Sequence, residues 1–323
     1  MKKLFPNGCP LRRARAWQAF LGTSKKILLD KGGALRRWVK LILALAALLL
    51  AAWAVPLGLT ALFQRLFSLW GVTAGTVSRA PGWAQALYGG WLYVNGFVQG
   101  AAIALAAWLC GRALNERVRM GKGMALGLAA GALAAAALIG CFRLLDVARF
   151  GHALSRPEFS VLTPMLLFYA VAQALGAALA AGLIGKILAG WRRALGFAGC
   201  AIAYWALFGR WTALGAVNGA LFGLLLWGMY EKKGGVAPAF GFLAMFSVLT
   251  VAVFGMPPWQ QGALYETYQV SKPWLTGGEL GPWAGLGMTA VLALLTLALA
   301  LQNRKTKAAP PPRPAKGRPS GKS

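Results

Sequence analysis

LILALAALLLAAWAVPLGLTALFQ, residues 41–64, runs from Lys40 to Arg65 without one charged side chain. As a helix it would rise about 36 Å at roughly 1.5 Å per residue, more than the roughly 30 Å hydrocarbon core of a bilayer. Seven further uncharged intervals of sixteen residues or more follow, at 80–111, 123–142, 159–185, 194–209, 211–230, 234–265 and 280–303. Composition agrees with this pattern. Of 323 residues 58% are apolar, 13% are charged and 42 are Gly, whereas soluble domains average about 45–50% apolar with Gly counted and about 25% charged. The pattern predicts an all-α, polytopic membrane helix bundle with about eight transmembrane helices. Only 194–209 is short for a span, and Arg210 would have to snorkel to an interface to complete it. A soluble enzyme, a secreted disulfide module and a transmembrane β-barrel do not fit such long apolar runs.

The charge distribution orients the bundle. Thirty-four Lys and Arg face seven acids, for a net charge of +27. Eleven of the basic residues precede position 41 and seven lie from Arg304 onward. If the chain starts inside and crosses eight times, the other inner loops take Arg112, Arg117, Arg119 and Lys122, then Lys186, Arg192 and Arg193, then Lys232 and Lys233. That places 27 of the 34 on the cytoplasmic side, as the positive-inside rule requires, with both termini cytoplasmic. The excess charge then serves orientation and attraction to a bilayer with anionic headgroups, and no nucleic-acid partner is expected.

Three segments follow. Residues 1–38 form a basic cytoplasmic segment, 39–302 the transmembrane domain, and 303–323 a basic, Pro-rich tail expected to be disordered. The first apolar run is too long and begins too late for a cleavable signal peptide. Residues 14–29 have the composition of a basic amphipathic surface helix, with a plain extension as the alternative. Cys9, Cys110, Cys141 and Cys200 show no C-x-x-C spacing and suggest neither a disulfide framework nor zinc. Gly123, Gly127 and Gly131, then Gly215, Gly219 and Gly223, and the pair Gly96 and Gly100 recur every four residues. Such spacing lets helix backbones approach closely in lipid.

Chemistry is harder to find. All seven acids fall in expected loops or at interfaces, and the single histidine, His152, lies in the outer loop RLLDVARFGHALSRPEF, 143–159. That loop is expected to be a wetted, ion-paired connector; a binding or pH-sensing site is the alternative. Polar residues within the spans are neutral: Asn95, Gln99, Gln173 and Asn218. Residues of this kind bond between helices or line an internal path.

Three phrases carry a family resemblance. They are AVAQALGAALAAGLIGKILAGWRR (170–193), AIAYWALFGRW (201–211) and NGALFGLLLWGMYEKKGGVAPAFGFLAMF (218–246). With the flanking RALNERVRMGKGMALGLAAG and KPWLTGGELGPWAGLGMT, they resemble the CPBP intramembrane metalloprotease family, which includes CAAX prenyl endopeptidases and bacteriocin-processing proteins. The likeness covers most of 85–302, with its core at about 160–255. It is firmest in GLLLWGMYEKKGGVAP and WLTGGELGP, and it implies a bacterial cytoplasmic membrane protein.

The family's catalytic positions are where this chain departs. The paired glutamates of the family fall on Gln173 and Ala174, its arginine on Ala178, its F-x-x-x-H on Phe208 and Thr212, and its H-x-x-x-N on Phe242 and Phe246. A hydrolytic zinc site needs about three ligands drawn from His, Asp, Glu or Cys, together with an activated water. Gln, Thr and Phe cannot assemble one, so no catalytic residue, metal ligand or cofactor is assigned.

The resemblance therefore implies a pseudoprotease. It would act as a membrane scaffold or binding protein that holds another membrane or lipidated protein, with Phe242 and Phe246 making the old groove greasy or simply packing the bundle. Handling or transport of a lipid or neutral solute along an internal path through Asn95, Gln99, Gln173 and Asn218 is the alternative. An active protease would require a different alignment and a site around His152 or Glu158.

Overall fold

Wherever the chain carries a long uncharged interval, the computed structural model has a helix. It describes residues 28–30, 34–73, 75–152, 159–188, 190–207, 212–257, 263–269 and 271–308. The basic segment before residue 28 and the Pro-rich tail after residue 308 lie outside the described residues, as does Phe208.

The helices are α1 (Arg37–Leu69), a short α2 (Gly82–Gly89), α3 (Trp91–Ala113), α4 (Met124–Leu144), α5 (Phe159–Ile187), α6 (Arg192–Leu207) and α7 (Ala213–Lys233). There follow α8 (Ala237–Ser247), a one-turn α9 (Pro273–Thr276) and α10 (Leu286–Ala308). The all-helical class fits, with one addition: strands β1 (Ala148–His152) and β2 (Tyr265–Gln269) pair antiparallel, His152 opposite Tyr265, in a two-stranded ribbon.

Among the described residues five helices are long and apolar enough to cross a membrane: α1, α3, α4, α5 from Leu162, and α7. Three of the eight expected spans are shorter there. Helix α6 is described over 16 residues, Arg192–Leu207, about 24 Å of rise, and opens on Arg192 and Arg193. The interval 234–265 does not become one helix. Its helical part is Ala237–Val253, ended by Gly255 at φ +47°, and the chain then continues as β2. The last apolar stretch is Leu286–Gln302, since Pro282 and two short 3₁₀ turns occupy the start of its interval.

Glycine sets the spacing between the helices. A Cβ on Gly127 of α4 would lie 2.0 Å from the Pro238 carbonyl oxygen of α8, and one on Gly131 would lie 2.5 Å from that of Phe242. Between α3 and α5, Gly100 meets the Ala172 backbone at 2.5 Å and Gly176 meets the Gly100 oxygen at 2.6 Å. Gly223 of α7 lies 2.4 Å from Ala198 Cα of α6 by the same construction. These contacts are backbone against backbone, so no rotamer change could relieve an added methyl. In lipid, where apolar burial supplies no drive between helices, this intimacy is what packs them.

One end of the bundle is basic. There Lys40 Nζ meets Glu116 at 2.7 Å and Arg193 Nη1 meets Glu231 at 3.0 Å. The backbone N–H groups of Val236 and Ala237 donate to the carbonyls of Arg119 and Met120 at 3.0 and 2.7 Å. These bonds gather the start of α1, the loop after α3, the start of α6, the end of α7 and the start of α8 at a single face. The two-stranded ribbon joins the loops after α4 and after Val253.

Gly127 and Gly140 of α4 give a controlled comparison, because a Cβ at Gly140 meets nothing within 4 Å. Gly127→Val should cost at least about 1–3 kcal/mol through overpacking, seen as a lower midpoint of thermal unfolding in detergent. Gly140→Ala should leave that midpoint unchanged.

Candidate functional site

Helix α5 has small side chains along the face it turns inward. Ala170, Ala174, Ala177 and Ala181 recur at steps of four, three and four, and all four line a cavity of about 200 Å³. The cavity is bounded across from α5 by Leu45 and Leu48 of α1, Phe197 and Cys200 of α6, Phe222 and Leu226 of α7, and Leu243 of α8. Leu280, Pro282 and Trp283, from the loop before α10, also contribute. Among the described residues no charged side chain lines it. Its polar side chains are those of Gln173, Tyr204, Ser247 and Thr250, with Cys200 and the rings of Tyr169 and Trp283 beside them.

Gln173 is the centre of a hydrogen-bonded chain across four helices. Its Nε2 donates to the Gly96 carbonyl at 2.5 Å and to Gln99 Oε1 at 3.1 Å. Gln99 Nε2 in turn donates to the Ala52 carbonyl of α1 at 2.8 Å, while Tyr204 of α6 donates its hydroxyl to Gln173 Oε1 at 2.5 Å. Gly96 can only accept there, so the amide nitrogen faces it and the carboxamide orientation is fixed. A Cβ on Gly96 would strike the Tyr169 ring at 2.2 Å. The missing side chain thus admits both Tyr169 and the Gln173 carboxamide.

The other residues singled out in the sequence lie elsewhere. Asn218 is fully buried, but it ties α7 to the loop before α10. Its Nδ2 donates to the carbonyls of Trp283 and Gly285 at 2.7 and 3.2 Å, and Thr289 donates to its Oδ1 at 2.7 Å. Asn95 Nδ2 donates to Thr60 Oγ1 of α1 at 3.2 Å, and its buried Oδ1 has no partner. Thr212 caps α7, its Oγ1 accepting from the Gly215 N–H at 2.8 Å.

Phe242 and Phe246 are buried in the core, their rings parallel with centroids 6.0 Å apart, and both lie outside the cavity lining. Trp283 meets Phe246 edge-on, and Phe222 tilts against Phe242. Ala174, Ala178, Phe242 and Phe246 belong to one buried cluster. All four are buried in that extended core, while Gln173 lines the cavity wall. Among the described residues no three His, Cys, Asp or Glu side chains come together.

Sequence reading missed Tyr204, Ser247 and Thr250. Tyr204 lies on a different helix from Gln173, 31 residues along the chain, so no spacing in the sequence pairs them. Nothing local announced Ser247 or Thr250, because a break in helical pitch brings them in. Val248–Val253 continue α8 as a π-helical turn, a widening that often accompanies functional sites.

Searches against family models, curated proteins and solved structures returned no match for this chain.

The two asparagines separate a structural role from a spare one. Asn218→Leu removes three hydrogen bonds, those to the Trp283 and Gly285 carbonyls and the one from the Thr289 hydroxyl, and should destabilise the protein by about 1–3 kcal/mol. Asn95→Leu removes an atom already unsatisfied and should be near neutral or stabilising. Thermal unfolding of both variants in one detergent checks the contrast.

Proposed function

We propose that this chain is a binding protein of the bacterial cytoplasmic membrane, crossing it eight times with both termini cytoplasmic, that receives one elongated apolar chain between its helices. The chain is the acyl or isoprenoid tail of a membrane lipid or of a lipidated protein partner. The observation that carries the reading is the cavity of about 200 Å³, lined among the described residues without a single charge and floored by four alanines of α5. Those alanines span about 16 Å along the helix axis at about 1.5 Å per residue, the direction in which lipid tails run. For comparison, an engineered apolar cavity of about 150 Å³ already takes up benzene.

The reading needs no hydrolysis. Its chemistry is that of a carboxamide, a phenol and two hydroxyls, which hold and orient but do not build a zinc-water nucleophile. The resemblance to intramembrane metalloproteases enters as an analogy of architecture only. The orientation is supported by the basic end of the bundle, where Lys40, Arg119 and Arg193 lie, since that end should face the cytoplasm.

Two experiments test the proposal. Native mass spectrometry of the full chain extracted in mild detergent should find one lipid, or one lipidated protein, retained in stoichiometric amount. Ala177→Trp, which fills the slot, should remove it; an empty wild type, or equal retention by the variant, contradicts the reading. The mass of the adduct separates a lipid from a lipidated partner. For topology, single cysteines at Ser78 and Ser323 in a cysteine-free background should react oppositely with an impermeant maleimide on intact cells, Ser78→Cys labelled and Ser323→Cys protected. The reverse pattern overturns the orientation.

A further inference from the structure

The polar groups of the cavity differ in what they still have to offer. Both N–H donors of the Gln173 carboxamide are engaged, by the Gly96 carbonyl and by Gln99. The Thr250 hydroxyl donates to the Phe246 carbonyl at 2.8 Å, within its own helix. What these two residues retain is acceptor capacity. A carboxamide oxygen has two lone pairs, and that of Gln173 takes one hydrogen bond, from Tyr204. The Thr250 oxygen likewise keeps its lone pairs, and the Ser247 hydroxyl lines the same cavity.

From this inventory we infer that the cavity selects a long-chain neutral alcohol, a lipid whose only polar group is a hydroxyl, and that the Gln173 carboxamide oxygen accepts that hydroxyl's proton in a hydrogen bond. The inference rests on the apolar-chain reading and adds the headgroup to it.

Each competing class fails on a stated ground. A fatty acid would bring a carboxylate to a site whose lining, among the described residues, holds no cation and whose Gln173 and Thr250 donors are spent, leaving the Ser247 hydroxyl to donate, and an ion so poorly paired is costly. An alkylammonium would likewise lack a counter-charge among the described lining residues. A hydrocarbon or an ether fits the slot but donates nothing, so it leaves the Gln173 and Thr250 acceptors unmet. An alcohol meets them.

Depth sharpens the choice. Gln173 is only 4% exposed and lies near the middle of α5, where surrounding lipid tails offer a hydroxyl no acceptor. The π-helical turn at Val248–Val253 presents Ser247 and Thr250 to the same space from the opposite helix, so the head would be met from two sides. An unmade bond to a buried polar group is costly, and a preference of about tenfold or more for the alcohol over its methyl ether is therefore expected.

The test uses the full-length protein in phosphatidylcholine nanodiscs with three probes of equal chain length: 1-hexadecanol, hexadecyl methyl ether and palmitate. Binding is read by native mass spectrometry over a concentration series. The expected result is hexadecanol tightest by about tenfold over the ether, with palmitate weakest. Gln173→Leu should bring alcohol and ether to the same affinity while both still bind.

Equal binding of alcohol and ether by the wild type overturns the hydroxyl inference and leaves the apolar-chain reading standing. Binding of none of the three overturns both. A Gln173→Leu protein that keeps the tenfold preference assigns the hydroxyl to another residue and overturns the role of Gln173. Should that variant fail to fold, the wild-type ratio together with Thr250→Val, expected to reduce the preference, decides the matter.

Discussion

A carboxamide buried at membrane depth has no water to turn to, and every one of its hydrogen-bonding groups must find a protein partner or carry the cost. Gln173 meets that constraint by holding α3 through the Gly96 carbonyl and α6 through Tyr204, and by reaching α1 through Gln99 and Ala52. The arrangement is possible because Gly96, Gly100 and Gly176 remove the side chains that would keep α3 and α5 apart. Individually such bonds are worth only about 0.6 kcal/mol, up to about 1.7. Their importance lies in fixing where four helices meet. With those positions set, the alanines of α5 are too short to fill the space before them, and a cavity is left.

Much of the architecture was legible because lipid is a demanding solvent. Uncharged intervals marked every long helix, the basic residues marked one end, and glycines spaced by four marked contacts now seen at Gly127, Gly131 and Gly223. Legibility ended where the chain leaves regular helix. Interval 234–265 reads as one hydrophobic run, yet its helix stops before Gly255 and β2 begins at Tyr265, its last residue. Apolar content does not tell a span from a helix followed by a covered ribbon, since both hide the same side chains.

The candidate residues divide for a similar reason. Gln173 and Gln99 could be recognised as polar groups needing partners, but only the fold shows that their partners are backbone carbonyls on neighbouring helices. Asn218 has the same appearance in sequence, yet it secures the loop that carries Trp283. Phe242 and Phe246 share one helix face, and that face turns into the core against Phe222 and Trp283, which line the cavity while the two phenylalanines do not. Residue type and spacing were right for either role; which helix faces which is set by glycine contacts far along the chain.

Together these features describe a membrane bundle held by close glycine packing, braced by one polar chain, with a slot whose walls are apolar and whose remaining polar capacity is to accept. The most direct measurement of that account is an experimental density map, at side-chain resolution, of the full-length protein purified with its native lipids. The account predicts continuous tubular density beside Ala170, Ala174, Ala177 and Ala181, with one end within hydrogen-bonding distance of the Gln173 carboxamide. A slot closed by neighbouring side chains, with α1 and α6 collapsed onto those alanines, would contradict it.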